Sequence, residues 1–487
     1  MLTRRQFIRT AALCALAPPG FAERAEEIWV NDVHSALNRT RVRELLKPRS
    51  RDELVDIVHS AARKGSAISV SGCRHSMGGQ QFATDSICLD TRSLNRILSF
   101  DRDRGLIEAE AGMQWPELIR AYLDAQRDMQ DQWGIAQKQT GADTFTLGGS
   151  LASNVHGRGL TMKPLISNVE AFTIVNSDGK ILRCSRNENE ELFLLAIGGY
   201  GLFGLISSVT LRLVPRKKLR RGVALIQADE LAHRFEERIA DGFLYGDFQF
   251  SVDEKSPDFL RHGIFSCYQP IAKDEPLAAE KKLRDDDWLE LLRLAYTDRA
   301  KAFQRYSQYY LSTNGQTYWS DTNQLSAYLP NYAQKLREQI GGSESSLIIT
   351  EIYVPRADLA GFLTRAADLL RSNQTLVIYG TVRLIEKDEE SFLAWAKQPY
   401  ACIIFNLLTL HTPEGIETSA KSFRGLIDLA IERGGSYYLT YHRFARREQV
   451  LACYPQFKKF IELKRTYDPA ERFQSEWYRY YRRMFAS

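Results

Sequence analysis

At 487 residues the chain is too long for one ordinary hydrophobic core, so two domains are expected. Its 44% hydrophobic and 26% charged residues fit a folded globular protein, and it holds no solenoid or propeller repeat. A net charge of +5 is too small for a nucleic-acid footprint, so no nucleic-acid partner is expected.

Residues 1–22 read as a targeting segment. Thr3-Arg4-Arg5-Gln6-Phe7-Ile8-Arg9 resembles the twin-arginine signal. A weakly apolar run, Ala11 to Ala17, follows, and it is too short to span a bilayer. Pro18-Pro19-Gly20-Phe21-Ala22 suits cleavage after Ala22. The expectation is export of an already folded, cofactor-loaded protein to the periplasm or another extracytoplasmic space. The alternative is an ordinary basic tail. After cleavage six cysteines remain (Cys73, Cys88, Cys184, Cys267, Cys402, Cys453), with no CxxC pair. No metal site is expected from them, and they read as packing residues.

Helical spacing runs from Arg51 to Lys64, and Gly65 ends it. A short strand, Ala67 to Val70, enters the small-residue loop Ser71 to Gln80. Ile87 to Asp90 and Leu106 to Ala111 read as strands, and Trp115 to Ala125 as a helix. A second glycine-rich stretch covers Thr144 to Gly157. Strands Val169 to Val175 and Lys180 to Cys184 flank the turn Asn176-Ser177-Asp178-Gly179. Glu190 to Ile197 is helical, and Leu205 to Val214 is a strand ending at Pro215. The charged run Arg216 to Arg221 marks a domain boundary. Beyond it, Asp285 to Leu311 reads as one long helix, Leu347 to Val354 and Thr375 to Ile385 as strands, and Phe423 to Glu432 and Gln449 to Lys464 as helices. The order is α+β, without regular βαβ alternation.

Gly199-Tyr200-Gly201-Leu202-Phe203-Gly204 fits GxGxxG, but a helix precedes it and a strand follows. A dinucleotide fingerprint needs the reverse, so these glycines read as a tight turn. The loop Ser71 to Gln80 tells more. Small residues after a strand expose successive N–H groups that can cradle a diphosphate. His75 sits within that cradle; alone it would read as a surface-loop histidine.

Gly72-Cys73-Arg74-His75-Ser76 with Gly78-Gly79-Gln80 resembles the first FAD loop of the vanillyl-alcohol-oxidase (PCMH-type) family. Thr146 to Gly157 resembles its second loop, and Val169 to Val214 its next segment. The resemblance implies a two-domain fold. A PCMH-type FAD-binding domain of two α/β subdomains would span 38–216, and a cap domain with an antiparallel sheet and helices 217–435. Residues 436–487 would return to the FAD domain. It implies FAD held by Gly72, Cys73, Arg74, His75, Ser76, Gln80, Thr146, Gly148, Gly149, Ser153, Asn154, His156, Gly157 and Ile206. In many members the loop histidine is bonded to the FAD 8α-methyl, which implies an 8α-histidyl link at His75. Arg74 departs from the glycine common before that histidine. Ala142 stands where doubly tethered members have cysteine, so one covalent bond is expected.

Within the family the chain is most similar to aldonolactone and alditol oxidases and decaprenylphosphoryl-ribose oxidases. That likeness implies oxidation of a CH–OH group of a sugar, polyol or sugar lactone by hydride transfer to flavin N5. Oxygen, a quinone or a cytochrome would accept the electrons. Glu351-Ile352-Tyr353 resembles a strand facing substrate, and Thr381-Val382-Arg383 falls where these enzymes put a basic residue in the pocket. The cell-wall relatives use a lysine near Tyr441 and His442, and none stands there. His442 is the expected proton acceptor, with Tyr441 and Glu351 as alternatives. Arg383 would hold a hydroxylate or carboxylate oxygen. Two other readings stay open: a reductase or desaturase of a C–C bond in a lipid-like substrate, favoured if Ile403, Ile404, Phe405, Leu407 and Leu408 line a pocket, and a flavin-binding subunit without chemistry. Glu476 to Phe485 mixes aromatics with arginines. It reads as packing on the FAD domain, with weak membrane-surface contact as the alternative.

Overall fold

The computed structural model describes residues 27–326 and 332–486. Residues 1–22, read from sequence as a targeting segment, lie outside the described residues. Near the N-terminus a parallel sheet runs in the order Glu44–Leu46, Ile87–Asp90, Ile68–Ser71. Helix Arg51–Lys64 joins its outer strands. Ser50 starts that helix by accepting the Glu53 N–H, and Gly65 stops it with φ of 61°. Leu54, Val58 and Ala61 form its buried stripe.

A five-stranded antiparallel sheet follows, in the order Ile181–Ser185, Val169–Val175, Leu205–Arg212, Leu106–Glu110, Ile97–Asp101. Its 176–179 turn closes with the Gly179 N–H on the Asn176 carbonyl, at a φ of 78° that suits glycine.

The third sheet has eight antiparallel strands, in the order Thr317–Trp319, Lys218–Gln227, His262–Pro270, Tyr245–Phe250, Val377–Ile385, Tyr400–Leu410, Ser345–Pro355, Ser436–Tyr437. Alternation gives it two faces. Phe248, Val382, Ile403 and Ile352 join one core with Phe362 of helix Leu359–Ser372 and with Phe423 and Leu426 of helix Pro413–Ile431. The register sets Thr381, Ile404 and Glu351 in one row across the opposite face, and Arg383 beside Cys402 in the next. Phe248 pairs with Val382, so Asp247 and Gln249 flank that row.

The C-terminal segment returns to the parallel sheet. Ile68 donates its N–H to Arg472 and accepts from Gln474. Helix Glu476–Phe485 buries Trp477, Tyr478 and Tyr481, and Trp477 packs 4.9 Å from the Tyr200 ring. Those aromatics face protein.

The α+β order expected from sequence holds, and three local expectations need correction. The long helix at Asp285 breaks into Asp285–Thr297 and Arg299–Ser312, because the Asp298 carboxylate caps the second by accepting the Lys301 N–H. The Gln449 helix is two, Arg447–Cys453 and Phe457–Tyr467, parted at Pro455, which has no N–H to donate. The helix expected at Phe423 begins earlier, at Pro413 behind the Thr412 cap. The run Arg216 to Arg221 is not wholly exposed. Arg216 forms a buried ion pair with Asp321 at 2.9 Å, and Arg221 is buried.

Candidate active site

A cavity of about 1240 Å³ is bounded by the two glycine-rich loops and the polar face of the eight-stranded sheet. Gly72, Cys73, Arg74, His75, Ser76, Gln80, Thr146, Gly148, Gly149, Ser153, His156 and Ile206 line it. So do Glu351, Arg383 and Tyr441.

The loops leave no room for larger residues. A Cβ on Gly72 would stand 2.3 Å from the Thr146 hydroxyl, and one on Gly78 would stand 2.4 Å from the Tyr441 carbonyl. Arg74 has φ of 62°, a left-handed conformation that costs a residue with a Cβ about 1–2 kcal/mol. This explains the glycine usual at that position. Among the described residues, the N–H groups of Cys73, Arg74 and Ser76 have no protein acceptor. A turn through the left-handed region with free N–H groups is an anion cradle.

His75 stacks on Phe145, with ring centroids 4.1 Å apart. Its Nδ1 is 2.8 Å from His34 Nε2, and its Nε2 is 3.0 Å from the Thr144 hydroxyl. Burial, then the neighbouring His34, pulls its pKa down to about 3. Burial takes His34 down to about 4. Both imidazoles are neutral near pH 7, and a neutral imidazole keeps a nucleophilic lone pair.

At the sheet end Glu351 is the hub. It accepts from His156 Nε2 at 2.5 Å, from the Tyr353 hydroxyl at 2.7 Å and from the Tyr441 hydroxyl at 3.2 Å. His156 Nδ1 lies 3.0 Å from the Gly157 carbonyl, which holds the ring in place. Burial alone would raise the Glu351 pKa. The opposing pull of His156, the Tyr353 hydrogen bond and the Arg383 charge outweighs it, and the carboxyl sits below its ordinary range. Burial and the Glu351 charge push Tyr441 well above the ordinary tyrosine range. Glu351 is therefore the acceptor and Tyr441 the donor of this pair. The Cys402 thiol completes a group whose ligand atoms lie within 4.8 Å of one another, and burial keeps it protonated.

Residues 43–185 match a family model described as an FAD binding domain. The chain carries a PCMH-type FAD-binding domain. Over 437 residues it is 22% identical to the L-gulono-1,4-lactone dehydrogenase of Mycobacterium tuberculosis, which covers 89% of this chain and 95% of that protein. It is 30% identical over 175 residues to the L-gulonolactone oxidase of Bos taurus, covering 36% and 38% of the two chains. It is 26% identical over 216 residues to cytokinin dehydrogenase 1 of Arabidopsis thaliana, covering 42% and 36%. The protein is an FAD-linked oxidoreductase.

The residues fit that cofactor. The unpartnered N–H groups of the first loop suit its diphosphate, and the glycines on both sides leave the backbone open to it. Three expected residues of this flavoprotein stand elsewhere. His442 does not line the cavity. It follows Tyr441 in a segment of turns, stacks on Phe444 with ring centroids 5.0 Å apart, and is buried with its pKa lowered to about 4. The Asn154 amide is tied to Asp388 at 2.9 Å, and its carbonyl oxygen accepts the Ile166 N–H. Its φ of 48° ends helix Leu147–Ser153, so its work is structural. Gly157 donates to Gln137, and a Cβ there would meet the Lys138 carbonyl at 2.7 Å. Gln80 does line the cavity, but its amide joins Gly78 to the Leu439 carbonyl.

Sequence reasoning missed His34 beside His75, and it gave no site role to Thr144 or Phe145 next to His75 or to Arg158 and Arg221 on the cavity wall. His34 lies 41 positions before its partner in no motif, so no local signal could join them. The alternation of Lys218–Gln227 could have marked Arg221 as inward-facing.

Proposed function

We propose that this flavoprotein oxidises a CH–OH group of a sugar, polyol or sugar lactone, with FAD singly tethered through His75. The observation that carries the reading is the ionised Glu351 held in the cavity that the FAD loops share. Bound FAD would supply the hydride acceptor. Glu351 takes the hydroxyl proton, and Tyr441 orients the substrate oxygen against it. His156 fixes the carboxylate. Near-full-length similarity to a lactone dehydrogenase supports this substrate class. Of the five apolar residues that would favour a lipid-like C–C substrate, Ile404 lines the cavity and the other four do not.

The test is anaerobic bleaching of purified, yellow enzyme by alditols, aldoses and lactones. One of these classes should reduce the flavin, and re-oxidation by air, quinone or cytochrome then identifies the acceptor. No bleaching by any of them would leave a flavin-binding subunit instead. Acid precipitation tests the tether separately. The native protein should give a yellow pellet and His75→Ala a colourless one. A colourless native pellet rejects the bond.

A further inference from the structure

Three buried guanidiniums line the sheet end of the cavity without a carboxylate partner. Arg383 is 8% exposed and has no hydrogen-bond or ion-pair partner among the described residues. Arg158 is 9% exposed. It donates to the Tyr268 hydroxyl at 3.2 Å and the Asn323 carbonyl at 2.5 Å, and its Nε has no acceptor. Arg221 donates to the Tyr268 and Thr313 hydroxyls. None of these acceptors is a carboxylate.

Among the described residues the acids nearby form no direct ion pair with them. Both oxygens of Glu351 are engaged by His156, Tyr353 and Tyr441. Asp247 receives one bond, from Gln249 at 3.3 Å, and its other oxygen is unpartnered. Asp143 is taken by Lys138 at 2.9 Å. Desolvated charges are expensive unless something of opposite sign completes them. The anion cradle of the first loop belongs to a different wall, on the parallel sheet, whereas Arg383 stands one row from Glu351.

We propose that the substrate carries an acidic group, a carboxylate or a phosphate ester, which Arg383 and Arg158 hold while Glu351 addresses its hydroxyl. The substrate would thus be a sugar acid or sugar phosphate rather than a neutral sugar. The assignment rests on the CH–OH reading above and narrows it. Asp247 then accepts from a neighbouring hydroxyl of the same molecule.

The test separates binding from turnover. Holoenzyme is titrated with matched pairs, D-gluconate against D-glucitol and glucitol 6-phosphate against glucitol, and the flavin absorbance shift gives Kd. The acidic members should bind at least about tenfold more tightly, and Arg383→Met or Arg158→Met should abolish that gap. Arg383→Lys should restore part of it. Preference for gluconate or for the phosphate ester identifies the acid. FAD content and the free-enzyme spectrum of each variant should match those of the wild type. Equal binding of acidic and neutral members overturns the proposal, and so does a Met variant that loses affinity for both alike, since Arg383 would then serve the flavin. Tight acidic binding without bleaching would leave the proposal standing and remove the CH–OH reading.

Discussion

Glu351→Gln should slow anaerobic flavin reduction by substrate on the order of 10²–10⁴-fold, with FAD still bound. The amide keeps the shape of the side chain but has one oxygen, so it can accept either from Tyr353, which donates to Oε1, or from Tyr441, which donates to Oε2, and not from both. It cannot take a proton. It also presents an N–H₂ toward His156 or Tyr441, where the carboxylate only accepted. The loss should fall on the rate of bleaching, measured by rapid mixing, more than on the substrate concentration that half-saturates it. The pH profile gives a second check. The net balance around Glu351 holds its carboxyl below the ordinary range, so the acid limb of the native profile should lie below about pH 4.3, the ordinary glutamate value. The same shift makes Glu351 a source of stability above that pH, lost as the pH falls through the folded-state value. His442→Gln is the contrast, because its ring does not line the cavity; bleaching should stay within a few-fold of native. A Glu351→Gln enzyme that bleaches at the native rate would end the assignment.

Sequence showed the cradle because its signal is local. Strand Ile68–Ser71, the small residues after it and the helix-before, strand-after context of Gly199 to Gly204 are contiguous patterns, and the structure keeps them. What sequence could not give was direction. Tyr441 and His442 are neighbours, and nothing in their order says which faces the cavity; packing of His442 on Phe444 decides it. The hub at Glu351 gathers His156, Tyr353 and Tyr441, and its longest link spans 195 positions. Tyr353 lies two residues along the same strand, but His156 and Tyr441 come from loops, so tertiary packing brings them to Glu351. Helix breaks at Asp298 and Pro455 were visible as residue types, but a continuing apolar period on both sides hid them.

A second large effect is expected far from the chemistry. Lys464→Met should destabilise the protein by about 3–5 kcal/mol, read as a lower urea midpoint of the yellow holoenzyme. Lys464 and Asp468 form a close ion pair with side chains 0% and 1% exposed. Lys464 lies in helix Phe457–Tyr467, and its ammonium also sits 5.3 Å from the centre of the Tyr478 ring. Asp468 also holds the chain that follows, since its oxygens accept the N–H groups of Arg472 at 2.9 Å and Phe473 at 2.8 Å. Removing the lysine leaves a buried carboxylate that cannot leave without releasing those two N–H groups. Pairing Lys464→Met with Asp468→Asn should recover part of the loss, because asparagine keeps an acceptor and drops the charge. The damage has a route to the cofactor. Arg472 and Gln474 bond Ile68 from both sides, and the Ile68–Ser71 strand feeds directly into the loop that carries His75. Flavin fluorescence should therefore respond at a lower urea concentration than tryptophan emission in the single variant. Coincident transitions at the native midpoint would show that this pair does not anchor the cradle.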